Sequence, residues 1–199
     1  MLKRARLPRA FFNRPTLQVA RELLGAYLIH VDNGQRVGGM ITETEAYCGE
    51  TDLGAHAKAG RTPRTEVLYG PPGHAYVYFT YGMHWLFNTV TCPEGVPEAV
   101  LIRAIKPREG LELIAQRRGK QPRKAWTDGP AKLTQALGIG KQYNKLDFVA
   151  KDSPIRIEKG EPIPDKSVTT GPRVGLYSVP EPWKSKPWRY LVSSNLQLG

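Results

Sequence analysis

Cysteine is nearly absent from this sequence: two in 199 residues, Cys48 and Cys92, far apart and with no CxxC pair. That excludes a disulfide framework and points to reduced thiols in a cytoplasmic protein. Apolar runs of about 18 residues are missing as well, so no transmembrane helix is expected. The basic start MLKRARLPRAFF has no long apolar stretch after it and does not read as a secretory signal. Repeats, low-complexity tracts and linker-like segments are lacking, which leaves one domain over 1–199 as the simplest organisation. A chain of that length can bury a core without staples. Acids are in short supply: 18 Asp and Glu face 29 Lys and Arg, giving +11 and a pI near 9.8.

That imbalance suits a polyanionic partner, most simply nucleic acid, although a charge that only maintains solubility is the plain alternative. The cations cluster at Lys3, Arg4, Arg6 and Arg9, at Arg117, Arg118, Lys120, Arg123 and Lys124, and at Lys184, Lys186 and Arg189. Between them the pattern alternates helix and strand. NRPTLQVARELLG predicts a helix capped by Asn13, with Pro15 in the first turn and Gly25 after the end. Leu17, Ala20, Leu23 and Leu24 fall on its apolar face. AYLIHVDNGQRVGGMITETEAY predicts a hairpin turning at Asn33–Gly34. HAYVYFTYGMHWLFNTVTC predicts two strands joined around Tyr81–Gly82–Met83, and EAVLIRAIKP a further strand closed by Pro107. REGLELIAQRRG and DGPAKLTQALG predict helices, the second with Asp128 in capping range and Gly138 at its end. SPIRIEK predicts a short strand. The sum is an α+β domain.

Against the basic background, acids and aromatics gather in ETEAYCGETDLGAH, from Glu43 to His56. Strand alternation puts Glu43, Glu45 and Tyr47 on one face and Thr42, Thr44 and Ala46 on the other. The spacing of Glu45, Tyr47 and His56 matches no common zinc signature. A carboxylate at a strand end that holds and deprotonates a water fits; so does a solvated acidic edge beside a core tyrosine. The loop from Cys48 to Pro72 is long and polar, and loops of that kind are often functional. In YVYFTYGMHWLFN, Tyr76 and Tyr78 share a face, and Tyr81 at a glycine turn is hard to bury. An exposed wedge in a basic protein suits insertion into a base stack, and aromatic faces suit an extruded base. Phe79 and Phe87 are expected in the core, and His74 and His84 are expected to be structural. DGPAKL offers a helix start and Lys132 to a phosphate, or is an ordinary capped helix. Arg103, inside an apolar strand, needs a carboxylate, phosphate or substrate partner, and Glu45 is a candidate.

Taken in order, ETEAY, a histidine nine residues after its tyrosine, YVYFTYGM, LIRAIKP, GPAKL and RVG resemble the alkyladenine (3-methyladenine) DNA glycosylase family. The likeness runs over roughly residues 7 to 193. Each motif is weak alone; the ordered set is specific. The resemblance implies a curved, barrel-like antiparallel sheet with flanking helices. It implies an enzyme that flips a damaged purine from duplex DNA and hydrolyses its N-glycosidic bond. By position, Glu45 is then the general base and Arg103 helps hold Glu45 and the water. Tyr47, His56 and Tyr78 form the base pocket, and Asn88 disfavours guanine's exocyclic amine. Tyr81 enters the stack with Met83 beside it, and Lys132 contacts phosphate. No lysine nucleophile, cofactor or metal is implied, so the enzyme is expected to be monofunctional. A cytoplasmic monomer acting at the nucleoid on double-stranded DNA, with no membrane association, completes the expectation. GRTPRT is one residue shorter than the family form, which leaves Arg61 and Arg64 without an assigned contact. A domain that grips nucleic acid without chemistry accounts for the charge and the aromatics but not for Glu45 and Arg103. A metal-dependent hydrolase using the acidic loop is the other alternative.

Overall fold

The computed structural model describes residues 4–193. Two short helices open the chain, α1 (Arg9–Phe12) and α2 (Thr16–Glu22). Asn13 does not cap α2; it follows α1, and Pro15 occupies the N-cap position without a side-chain bond. The residue before a proline avoids helical geometry, so α2 starts only after Pro15, too far from Asn13 to be capped by it. Val19, Ala20, Leu23 and Leu24 are buried, whereas Leu17 lies outward.

The hairpin forms as its Asn-Gly turn dictates, from β1 (Tyr27–Asp32) to β2 (Gln35–Cys48). Asn33 and Gly34 take positive φ of 48° and 80°, which a type I′ turn requires. A second hairpin joins β3 (Ala75–Thr80) to β4 (His84–Thr91), and β5 (Glu98–Glu109) follows. Pro107 does not close β5; it sits opposite Gly39 beside a register shift, where a missing N–H is tolerated. Then come α3 (Leu111–Arg118), α4 (Pro130–Leu137), β6 (Ile155–Glu158), β7 (Val168–Gly171) and β8 (Arg189–Val192).

The eight strands form one antiparallel sheet in the order β3-β4-β5-β2-β1-β6, with β8 also on β2 and β7 on β8. Register shifts between β2 and β5 near Gly38 and Glu43 bend the strands, so the sheet is curved yet open rather than closed into a barrel. Strand β2 is shared along its length: β1 flanks Gln35–Met40 and β8 flanks Glu43–Glu45. One sheet face holds the main core. There Ala46, Val77, Phe87, Val100 and Ile102 meet Phe12, Leu23 and Leu24 of the N-terminal segment and Leu133 and Leu137 of α4. Burial of each large side chain contributes about 1.5–3 kcal/mol. The other face is covered by the loop after β2, whose Ala55, Ala57 and Leu68 pack on Tyr76, Val90 and Ala99.

Several clustered cations are tied inward. Arg4 pairs with Glu109 at 2.8 Å, Arg9 with Asp147 at 2.6 Å, Arg189 with Glu43 at 2.5 Å, and Arg117 with Asp32. Lys3 lies outside the described residues. Lys120, Arg123, Lys124 and Lys184 remain exposed.

Candidate active site

The second sheet face carries a cavity of about 330 Å³. Four strands supply its floor: Tyr47 from β2, Arg103 and Leu101 from β5, Asn88 from β4, and Tyr76 and Tyr78 from β3. Residues 54–57 and 174–176 wall it, and Pro130 at the start of α4 adds to the lining. Strand alternation explains the division of labour, because Thr44 and Ala46 turn to α2 and the core while Glu45 and Tyr47 turn to this side.

Glu45 is fully buried behind that lining, so the solvated-edge alternative is excluded. Its Oε1 accepts the Val174 N–H at 2.7 Å and lies 3.4 Å from Arg103 Nη1. Its Oε2 accepts the Tyr47 hydroxyl at 2.9 Å. Burial pushes its proton affinity above the ordinary carboxylate range; the Arg103 charge and these two hydrogen bonds hold it back only in part. Arg103 finds the expected acidic partner and a second one, since its Nε donates to Glu43 Oε1 at 2.8 Å. Burial works against its charge, and the two carboxylates outweigh that.

The pocket's aromatics interlock. His56 meets Tyr78 edge-on at 4.5 Å between ring centres, and Tyr76 lies 5.2 Å from Tyr78. His56 Nδ1 is 2.8 Å from Tyr76 Oη, and Arg64 Nη2 is 3.4 Å from Nε2. A guanidinium only donates, so Nε2 offers its lone pair and Nδ1 carries the proton. Burial, with the Arg64 and Lys58 charges, lowers the His56 pKa to about 4, which leaves the ring neutral at neutral pH. Asn88 is buried opposite Tyr76 in register and donates Nδ2 to the Tyr76 carbonyl at 3.0 Å.

The β3–β4 hairpin runs past its neighbour, because β4 pairs with β5 only from Asn88 onward. Its tip therefore projects, leaving Tyr81 81% exposed and Met83 67% exposed. Tyr81 adopts φ 50° beside Gly82 and still lines the cavity. The same projection overturns the core assignment of Phe79, which is 45% exposed and rests on Trp85; Phe87, deeper in the strand, is buried. Lys132 stands on the first turn of α4 with Nζ 2.9 Å from Asp128 Oδ1. Asp128 thus pairs with that lysine instead of capping α4, where Gly129 is the N-cap residue.

Sequence reasoning missed a buried ion pair behind Tyr47. Arg173 Nη2 donates to Asp52 Oδ1 at 2.8 Å and Nη1 to Oδ2 at 2.5 Å, with both side chains fully buried. Its guanidinium lies 4.7 Å from the Tyr47 ring centre and 5.0 Å from that of Trp188. The partners are 121 residues apart, so no local pattern announces them. Among the described residues, no group of three or more His, Cys, Asp or Glu side chains is placed to hold a metal ion, and no helix is long and apolar enough to cross a membrane.

Fold and pocket thus define a class: single-sheet α+β proteins with a tyrosine-lined cavity in front of a buried carboxylate held by arginine. Within that class the chain belongs to the methylpurine-DNA glycosylase family, whose model matches residues 10–196. A protein of Desulfitobacterium hafniense is 47% identical over 96% of this chain and 96% of its own length. One of Myxococcus xanthus is 46% identical, covering 94% and 89%. One of Carboxydothermus hydrogenoformans is 44% identical, covering 95% and 96%. Each bears the name "Putative 3-methyladenine DNA glycosylase".

Proposed function

We propose that this chain is a monofunctional DNA glycosylase that extrudes damaged purines, of the alkylated, deaminated or etheno class, from duplex DNA and hydrolyses the C1′–N9 bond. The observation that carries the proposal is Glu45: a buried, ionisable carboxylate with raised proton affinity, bound to Arg103 and Tyr47 at the back of a tyrosine-lined cavity. Perturbed acids in such places are the mark of general bases. In this mechanism the purine enters among Tyr47, His56 and Tyr78. Tyrosine faces favour a cationic alkylated base by about 0.5–2 kcal/mol. As the glycosidic bond breaks, its electron pair leaves with the purine and positive charge grows on the sugar. A water adds its oxygen to C1′ and gives its proton to Glu45. Arg103, whose Nη1 lies 3.4 Å from Glu45, helps hold both that water and the acid.

Asn88 excludes guanine's exocyclic amine, and Tyr81 fills the vacated stack with Met83 beside it. Lys132 exchanges Asp128 for a DNA phosphate, and the exposed cations hold the backbone. The described chain then serves as one repair domain, working as a monomer. A labelled duplex with one hypoxanthine, and a methylated duplex, incubated with protein in chelator and then treated with hot alkali, tests this. Strand breaks only after alkali are expected. Breaks without alkali would indicate a lyase step, and loss of activity in chelator would indicate the metal-dependent alternative. Salt-sensitive binding with no break on either duplex would favour a binding module.

A further inference from the structure

Tyr177 is as exposed as Tyr81, 81% in each case, and has no place in the site as described so far. A lone exposed aromatic says little. The turn that presents this one says more, because it is fastened to the active site residue by residue. Arg173 is locked into the Asp52 ion pair. Val174 donates its N–H to Glu45. Gly175 reverses the chain at φ 85°. Leu176 packs so closely on the loop after β2 that a Cβ on Gly54 would lie 2.8 Å from its Cδ1. The Val179 N–H then closes the turn on the Leu176 carbonyl at 3.1 Å. Residues 174–176 line the cavity that Tyr81 also lines. Downstream, the surface is basic: Lys184 is exposed, and Lys186 lies over Trp183 and Trp188 at 3.7 and 4.2 Å.

We propose that Tyr177 is a second aromatic DNA contact, stacking on a base or sugar of the duplex beside the extruded nucleotide. The inference rests on the reading of the cavity as a pocket for a nucleotide drawn from duplex DNA. A turn whose backbone is already fastened loses little further freedom when DNA arrives. Stacking on nucleobases tolerates any sequence, which suits a protein that must search for lesions. An uncharged ring releases no counterions, so it adds affinity without adding to the salt dependence.

The test measures the equilibrium affinity of the full chain, Tyr177→Ala and Tyr177→Phe for a duplex with one hypoxanthine at several salt concentrations. Single-turnover excision is followed in parallel. Tyr177→Ala is expected to weaken binding at least about fivefold, or about 1 kcal/mol, by the same factor at every salt concentration. Tyr177→Phe should stay within about twofold of the parent, because the ring and not the hydroxyl is used. A control, Lys184→Ala, should flatten the salt slope. Tyr177→Ala binding as tightly as the parent overturns the proposal, as does an equal loss in Tyr177→Phe. A parent that binds but never excises sinks the glycosylase reading, and the Tyr177 comparison is then decided by affinity alone.

Discussion

Replacing Glu45 by glutamine separates chemistry from architecture. The amide oxygen can keep the Val174 N–H and face Arg103, and its NH2 can donate to Tyr47 once that hydroxyl rotates. Arg103 retains Glu43 at 2.8 Å, so no cation is orphaned. The substitution therefore leaves the pocket's shape and DNA affinity in place. What it removes is the proposed base, and losing a general base costs about 10²–10⁴-fold in rate, or about 3–5 kcal/mol of barrier. Stability should move the other way. A carboxyl whose folded-state proton affinity is raised opposes folding once ionised: its favourable contribution is complete below the ordinary value of 4.5 and is lost as pH rises through the folded pKa. Glutamine escapes that loss, so the variant should melt no lower than the parent at pH 7–8, with any advantage shrinking as pH falls toward 4.5. Single-turnover excision and thermal melts across pH read both halves. Excision within about tenfold of the parent would refute the role of Glu45. Collapse of the melting temperature in Glu45→Gln would refute the account of its surroundings.

Other outcomes follow from the same geometry. Acid should erode stability between pH 6.5 and about 4, because His56 is neutral in the fold but protonates once unfolded; His56→Gln should flatten that part of a denaturation-against-pH curve. Asp52→Asn should cost about 3–5 kcal/mol by leaving Arg173 buried beside a neutral partner, lowering the melting temperature by roughly 10 °C, whereas an unchanged melt would mean water reaches the pair. Lys132→Ala should weaken binding to undamaged and damaged duplex alike and lower the salt slope by about one, and a loss confined to damaged duplex would contradict a phosphate contact.

Local chemistry was the legible part. Asn33–Gly34 announced its turn because only a few residue types accept two successive positive φ angles. Tyr81 beside Gly82 announced an unburied tip because a side chain at a hairpin turn has little to pack against. Arg103 declared an anionic partner, with Glu45 a candidate, since an apolar strand cannot hold an unpaired guanidinium. Illegible features depended on distant neighbours. Phe79 looked like core until the hairpin proved longer than the strand beside it. Pro107 looked like a stop until a register shift made room for it. Asp128 had the right offset to cap α4 but met Lys132 instead. The Arg173–Asp52 pair joins segments that no periodicity relates.

The sharing of β2 between two partners has a consequence for how this molecule comes into being. On one edge its first half is paired by β1, which precedes it, but the stretch Glu43–Glu45 waits for β8, the last strand described. Val174, which holds Glu45, and Arg173, which backs Tyr47, also arrive late. A chain halted before residue 173 could own every floor residue of the pocket and still lack the groups that fasten its acid in place. Completion of synthesis thus acts as a licence: on the proposed reading, a fragment that keeps affinity for DNA through its cations does not thereby gain a working base.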